Sequence, residues 1–111
     1  MDHALLEVLP SAVHDRRASG RHLHLVDVRS TSEYWRGHPH GAISIPVEQI
    51  SRQEILRKLG EQAGREKPLY LISGNGRRAM QAAGKLLQEG LPQLLLVRGG
   101  TRAWFEDYRL P

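Results

Sequence analysis

Three short runs constrain the fold more than any other feature of this chain: LHLV at 23–26, LYLI at 69–72 and LLLV at 94–97. Apart from His24 and the hydroxyl of Tyr70, they offer nothing polar on either face of a strand. Strands apolar on both faces belong to parallel sheets covered by helices on each side. Helix signals lie between the runs, and this alternation predicts an α/β domain with a mostly parallel sheet. In such sheets a ligand sits outside the carboxyl ends of the strands. Ser73 lies at one such end and Arg29 at another.

The punctuation between the runs supplies the remaining elements. Glu7-Val8-Leu9 reads as a short strand, and Pro10 stands where a helix can begin, to run to about Ser19 and stop at Gly20. His22 to Val28 is the strongest strand. Ser30 with Glu33, and Ser51 with Glu54, have the capping-box form. The first opens a short helix through Arg36, and the second a helix to about Gln62 with Ile55, Leu56 and Leu59 on one face. Gly37 to Pro46 is loop and a brief strand. A helix from Arg77 to Glu89 closes at Gly90, with Met80, Leu86 and Leu87 on its buried face. Gly99-Gly100 turns the last strand into a terminal helix carrying Trp104 and Phe105 in core and rim positions.

The 111 residues suffice for one domain with a single core, spanning 1–111. No apolar stretch approaches a membrane span, and Met1 to Glu7 lacks the pattern of a secretory signal. A soluble, cytoplasmic protein without membrane association is the expectation. The formal net charge of +4 favours anionic ligands or acidic partners. The basic residues are scattered, with no stripe interleaved with aromatics, so nucleic acid is not expected. There is no cysteine, which removes disulfides, thiolate metal sites and thiol nucleophiles together.

The stretch LYLISGNGRRAM, from Leu69 to Met80, carries the chemistry. A strand enters, a Gly-rich turn follows and a helix leaves. Gly74 and Gly76, bracketing Asn75, allow successive amide N–H groups to face one point. The helix start adds its positive end, and Arg77 or Arg78 adds a charged planar fork. Such a loop can hold a sulfate, phosphate, thiolate or persulfide. An ordinary strand-to-helix turn with surface arginines, in which the Ser73 hydroxyl caps the helix it precedes, is the plainer alternative.

LVDVRSTSEYWRGHPHGAISIP resembles the N-terminal signature of the single-domain rhodanese (sulfurtransferase) family, through Asp27, Arg29, Glu33-Tyr34, Gly37-His38, Gly41-Ala42 and Ile45-Pro46. VRGGTRAW is similar to its C-terminal signature, and Leu110-Pro111 falls where such domains commonly end. The resemblance implies a five-stranded, mostly parallel sheet flanked by helices on both faces. It also implies a loop that begins with a nucleophilic cysteine, a position that falls here on Ser73, with the loop arginine on Arg78. A related phosphatase branch uses a loop one residue longer, so the length here argues against phosphate-ester chemistry. Ala79 departs from the Ser or Thr common at its position.

Family sulfur transfer needs a thiolate that takes up a sulfane sulfur as a persulfide. Cysteine ionises at about 8.5, a value that a helix end and nearby cations lower. An alcohol ionises far higher and needs a positioned base, and its oxygen cannot carry a persulfide. As written, the chain is expected to be inactive in sulfur transfer, keeping Ser73, Gly74, Asn75, Gly76, Arg77 and Arg78 as an anion-binding loop for a binding or regulatory role. Its ligand would be a small sulfur-containing or oxyanion species, or an unidentified protein partner, and the chain itself a monomer or weak dimer. The alternative is a thiosulfate:cyanide-type sulfurtransferase whose cysteine has been exchanged for serine. A serine hydrolase lacks both a base near Ser73 and the G-x-S-x-G elbow. Asp27 is read as pinning the following loop, Arg29 as pocket lining or structure, His38 as a brace and Glu33 as a helix cap. Trp35 beside Arg36 is read as packed or as a partner contact. His22, His24, His38 and His40 suggest a metal but define no complete ligand set, so no metal and no cofactor is expected.

Overall fold

The computed structural model describes residues 5–108. Its elements in chain order are β1 (Leu6–Val8), α1 (Pro10–Ala18), β2 (His24–Asp27), α2 (Thr31–Arg36), β3 (Ile43–Ser44), α3 (Arg52–Leu59), β4 (Leu69–Ile72), α4 (Arg77–Gln88), β5 (Leu94–Val97) and α5 (Gly100–Asp107). The strands form one sheet in the order β1-β5-β4-β2-β3, and every neighbouring pair is parallel. The fold is therefore α/β, with an all-parallel sheet where a mostly parallel one was expected. Leu110-Pro111 lies outside the described residues. Among the described residues no helix is long and apolar enough to cross a membrane.

The doubly apolar runs explain the layering. In β4, Leu69 and Leu71 point into one core with Ile55 of α3 and Ala79, Ala82, Ala83 and Leu86 of α4. Tyr70 and Ile72 point the other way, onto Val13 of α1 and Trp104 of α5. Residues i and i+1 of a strand face opposite sides, so a strand in the middle of three layers must be apolar throughout. All four residues of β4 are buried.

Most boundaries fall where the signals place them, and the departures have local causes. β1 ends at Val8 rather than Leu9, because Leu9 becomes the extended N-cap ahead of Pro10. β2 begins at His24 rather than His22, opposite Leu69, the first residue of its partner β4. The Ser30 capping box forms with both hydrogen bonds. At Ser51 only half of the box is present: the hydroxyl accepts from the Glu54 N–H, while the Glu54 carboxylate turns outward to Arg57. α3 stops at Leu59, three residues early, where Gly60 caps it. Met80 is not on the buried face of α4 but 58% exposed. The small residues Ala79, Ala82 and Ala83 fill that face instead and let the helix lie close to the sheet.

The packing that shapes the carboxyl end of the sheet is the approach of α5 to the loop after β4. Gly99 and Gly100 both take positive φ, at 76° and 64°. The Thr101 N–H then donates to the Ser73 carbonyl at 2.9 Å, and the Arg102 N–H to the Gly74 carbonyl at 3.3 Å. A Cβ on Gly100 would collide with the Ser73 carbonyl oxygen and sit 2.6 Å from that of Gly74. Backbone lies on both sides of this contact, so neither partner can yield cheaply.

Gly100→Ala is expected to destabilise the fold by about 2 kcal/mol or more in urea unfolding. Gly84, on the exposed face of α4 with open space around it, is the control. There an alanine should stabilise by about 0.5–1 kcal/mol.

Candidate functional site

The carboxyl ends of β2 and β4 and the amino ends of α4 and α5 meet at one end of the sheet. Ser73 follows β4 directly and is fully buried. Its Oγ accepts a hydrogen bond from the Ala79 N–H at 3.0 Å, as a capping hydroxyl does, although Gly76 is the formal N-cap. Among the described residues this is the one hydrogen bond that Ser73 Oγ makes, so no histidine or carboxylate stands by to activate it. Asn75 Oδ1 accepts from the Arg77 N–H at 3.1 Å. The amide N–H groups of Gly74, Asn75, Gly76 and Arg78 have no acceptor among the described residues. Their carbonyl neighbours at Ser73 and Gly74 are turned away and occupied by α5.

Above the loop lies a cleft of about 320 Å³ lined by Glu33, Gly74, Asn75, Arg77, Arg78 and Arg102. Three arginines and one carboxylate leave it net positive. The carboxylate is not idle. Glu33 Oε1 and Oε2 accept from the Arg78 fork at 2.6 and 3.0 Å, while Glu33 Oε1 also completes the Ser30 capping box. Arg78, read from the sequence with Arg77 as a candidate for the loop's charged fork, is thus already paired across the cleft. Glu33, read as a cap, is both cap and counter-ion. Arg102 is the residue that the sequence reading missed. It follows the Gly-Gly turn at a third strand end, the location rule that had drawn attention to Ser73 and Arg29.

The neighbouring cleft, about 330 Å³, shares Glu33 and is walled by Arg29, Arg36, Gly37 and Phe105. Asp27 and Arg29 are both buried here. Arg29 Nη2 donates to Asp27 Oδ2 at 2.7 Å and to the Gly37 carbonyl at 2.7 Å, and its guanidinium lies 6.0 Å from the Phe105 ring centre. Asp27 also accepts from the Arg29 backbone N–H, so the pair fixes the chain from 27 to 37. Removing one partner of such a pair strands a buried charge. His38 Nδ1 lies 2.9 Å from the Tyr34 carbonyl and its ring stacks on Tyr34, which places it as a brace for the same loop.

The other histidines are not brought together. His24 is buried with Nδ1 unpartnered, His22 meets it only edge-on at 5.2 Å, and His40 is exposed. Burial first, then the charges of His22 and Lys67, hold His24 below the ordinary imidazole range. Among the described residues no group of three or more metal-ligating side chains is placed to hold an ion.

The sequence profile of the rhodanese-like domain family matches residues 9–107. The chain belongs to the rhodanese-like family. Its relatives include YqhL of Bacillus subtilis, 32% identical over 88 residues that cover 79% of this chain and 65% of that protein. Among solved structures, the human single-domain sulfurtransferase TSTD1 superposes with a TM-score of 0.75 at 26% identity, covering 95% of this chain and 99% of TSTD1. BH2092 from Bacillus halodurans superposes with a TM-score of 0.78 at 25% identity, covering 92% of this chain and 72% of that one. This rhodanese-like domain spans 50–65% of the length of the curated relatives it matches.

The Glu33–Arg78 pair has a pH signature. Donation from Arg78 first, aided by Ser30 and opposed by partial burial, holds the Glu33 carboxyl at about 2 against an ordinary 4.5. A carboxyl lowered in the folded state stabilises the fold above its ordinary value, and that contribution fades as pH falls through the folded one. Glu33→Gln keeps the reach needed for the cap and loses the charge. The variant should be less stable than the parent at neutral pH, with the gap closing between about 4.5 and about 2. Urea midpoints measured across that range check it.

Proposed function

We propose that this domain binds a small oxyanion or sulfur-containing anion over the Ser73–Arg78 loop, in a binding or regulatory role, and does not transfer sulfur as the chain stands. The observation that carries this is the state of Ser73. Its hydroxyl is buried and spent on capping α4, while four loop amides are left without an acceptor among the described residues. An alcohol in that place has neither the base to become a nucleophile nor the chemistry to store a sulfane sulfur. The amides, the start of α4 and the arginine walls still favour negative charge.

A second reading is favoured by the kinship with a sulfurtransferase of nearly equal length and by the resemblance that puts Gly76 and Arg78 where the family carries its loop glycine and arginine. On this reading the machinery is intact and lacks only its sulfur. A thiolate at position 73 would accept the Ala79 N–H, and the helix end would lower its pKa. It would attack the outer sulfur of thiosulfate, and the S–S bond would break with sulfite leaving on its own electron pair. Cyanide would then take the outer sulfur of the persulfide as thiocyanate and return the thiolate.

Thiocyanate formation from thiosulfate and cyanide, measured for the parent and for Ser73→Cys, tests both readings. The parent should be at the buffer background. If Ser73→Cys gains at least roughly a hundredfold, only the nucleophile is missing and the second reading describes the ancestry of the site. If the folded variant stays at background, the loop serves binding alone. Turnover by the parent would overturn the proposal.

A further inference from the structure

The folded chain gathers charge that the sequence scatters. Arg36 at the end of α2, Arg77 at the start of α4 and Arg102 in the first turn of α5 all line the two clefts that share Glu33. All three are exposed. Arg29 and Arg78, on the same walls, are neutralised by Asp27 and Glu33, but Arg36, Arg77 and Arg102 make no ion pair among the described residues. Against a whole-chain excess of +4, three uncompensated positive charges at one mouth are a concentration and not an average surface. A thiosulfate-sized ion seated on the Ser73 loop answers the Arg77 and Arg102 side. It leaves the Arg36 side unanswered.

Trp35 supplies the second observation. It is 73% exposed, the most exposed of the large apolar side chains among the described residues, and it precedes Arg36 on α2. Its ring is held edge-on against Tyr34 and His38, at 5.2 and 6.1 Å, so it is presented on a rigid support. Tryptophan and arginine are the residues most enriched where truncation weakens protein interfaces. A small anion has no use for this ring.

We infer that the two clefts lined by Arg36, Arg77 and Arg102, together with the exposed Trp35 that adjoins Arg36 on α2, form a docking surface for an acidic polypeptide segment with an apolar side chain for Trp35. The inference rests on the anion-receptive loop proposed above and names the partner class that reaches it. One carboxylate of the segment faces the Ser73 loop, others face Arg36 and Arg102, and an apolar side chain covers the indole. The steering is electrostatic and the anchor is the ring.

A short fluorescein-labelled peptide of alternating glutamate and leucine, followed by anisotropy, tests this on the full chain, with a lysine–leucine peptide and a short oligouridylate as alternatives and sulfate as the small anion. The acidic peptide should bind and weaken as salt rises from about 50 to about 200 mM. Trp35→Ala should weaken it about tenfold, and Arg36→Ala and Arg102→Ala about threefold each. All three side chains project from the surface, and circular dichroism verifies folding. Trp104 is buried, so a change in intrinsic emission on peptide binding that Trp35→Ala abolishes locates the contact. Sulfate affinity should be unchanged in Trp35→Ala and Arg36→Ala. Sulfate binding without peptide binding, peptide binding indifferent to Trp35 and Arg36, or tighter binding of the lysine–leucine peptide or the oligouridylate would each overturn the inference while leaving the anion loop standing. Failure of both sulfate and acidic peptide would overturn the two together.

Discussion

Two hydrogen bonds from the first turn of α5 to the carbonyls of Ser73 and Gly74 hold the carboxyl end of the sheet in shape. A strand-to-helix loop has as many carbonyls as amides, and left to itself it presents a mixed surface to solvent. Here the carbonyls that open the loop are claimed by an adjacent helix terminus, whose own orphan donors they satisfy in turn. The free amides and the start of α4 are what remain to line the cleft. The arrangement requires backbone to touch backbone at Gly100, where a methyl group has nowhere to go, while the positive φ of Gly99 and its approach to Ala103 account for the glycine before it.

The same end of the sheet is organised electrostatically in two tiers. Buried charge is matched within the fold: Asp27 with Arg29, which then reaches the Gly37 carbonyl and pins the loop after α2. Half-exposed charge is matched across the cleft, Glu33 with Arg78, which ties α2 to α4. Pairs of the first tier hold geometry, because breaking one strands a charge away from water. What is left over, on Arg36, Arg77 and Arg102, is exposed and available to something outside the chain. Function on this account is the uncompensated remainder of a charge pattern whose other members serve the fold.

Much of the architecture was legible because its signals are local. LYLI and LLLV became β4 and β5 to the residue, and the Ser30 box opened α2 as its spacing requires. The signature residues Asp27, Arg29, Gly37 and His38 did meet around one loop. Less legible was whatever depends on partners distant in sequence. Glu33 and Arg78 are 45 positions apart, and nothing in either segment announces the other. The exposure of Met80 was misread because an amphipathic pattern can be satisfied by alanines when a helix lies close to a sheet. Arg102 had a usable signal, its place after a Gly-Gly turn at a parallel strand end.

The central claim is that the loop after β4 is an anion cup in which Ser73, at the position where the family resemblance puts a cysteine, caps a helix. The most direct measurement is a titration of the 15N-labelled domain with sulfate and with thiosulfate, followed by amide chemical shifts. The account predicts saturable shifts concentrated on the amides of Gly74, Asn75, Gly76 and Arg78, with Ala79, held by Ser73 Oγ, moving less. Shifts that spread over the surface without saturating, or that saturate elsewhere and spare this loop, would contradict it.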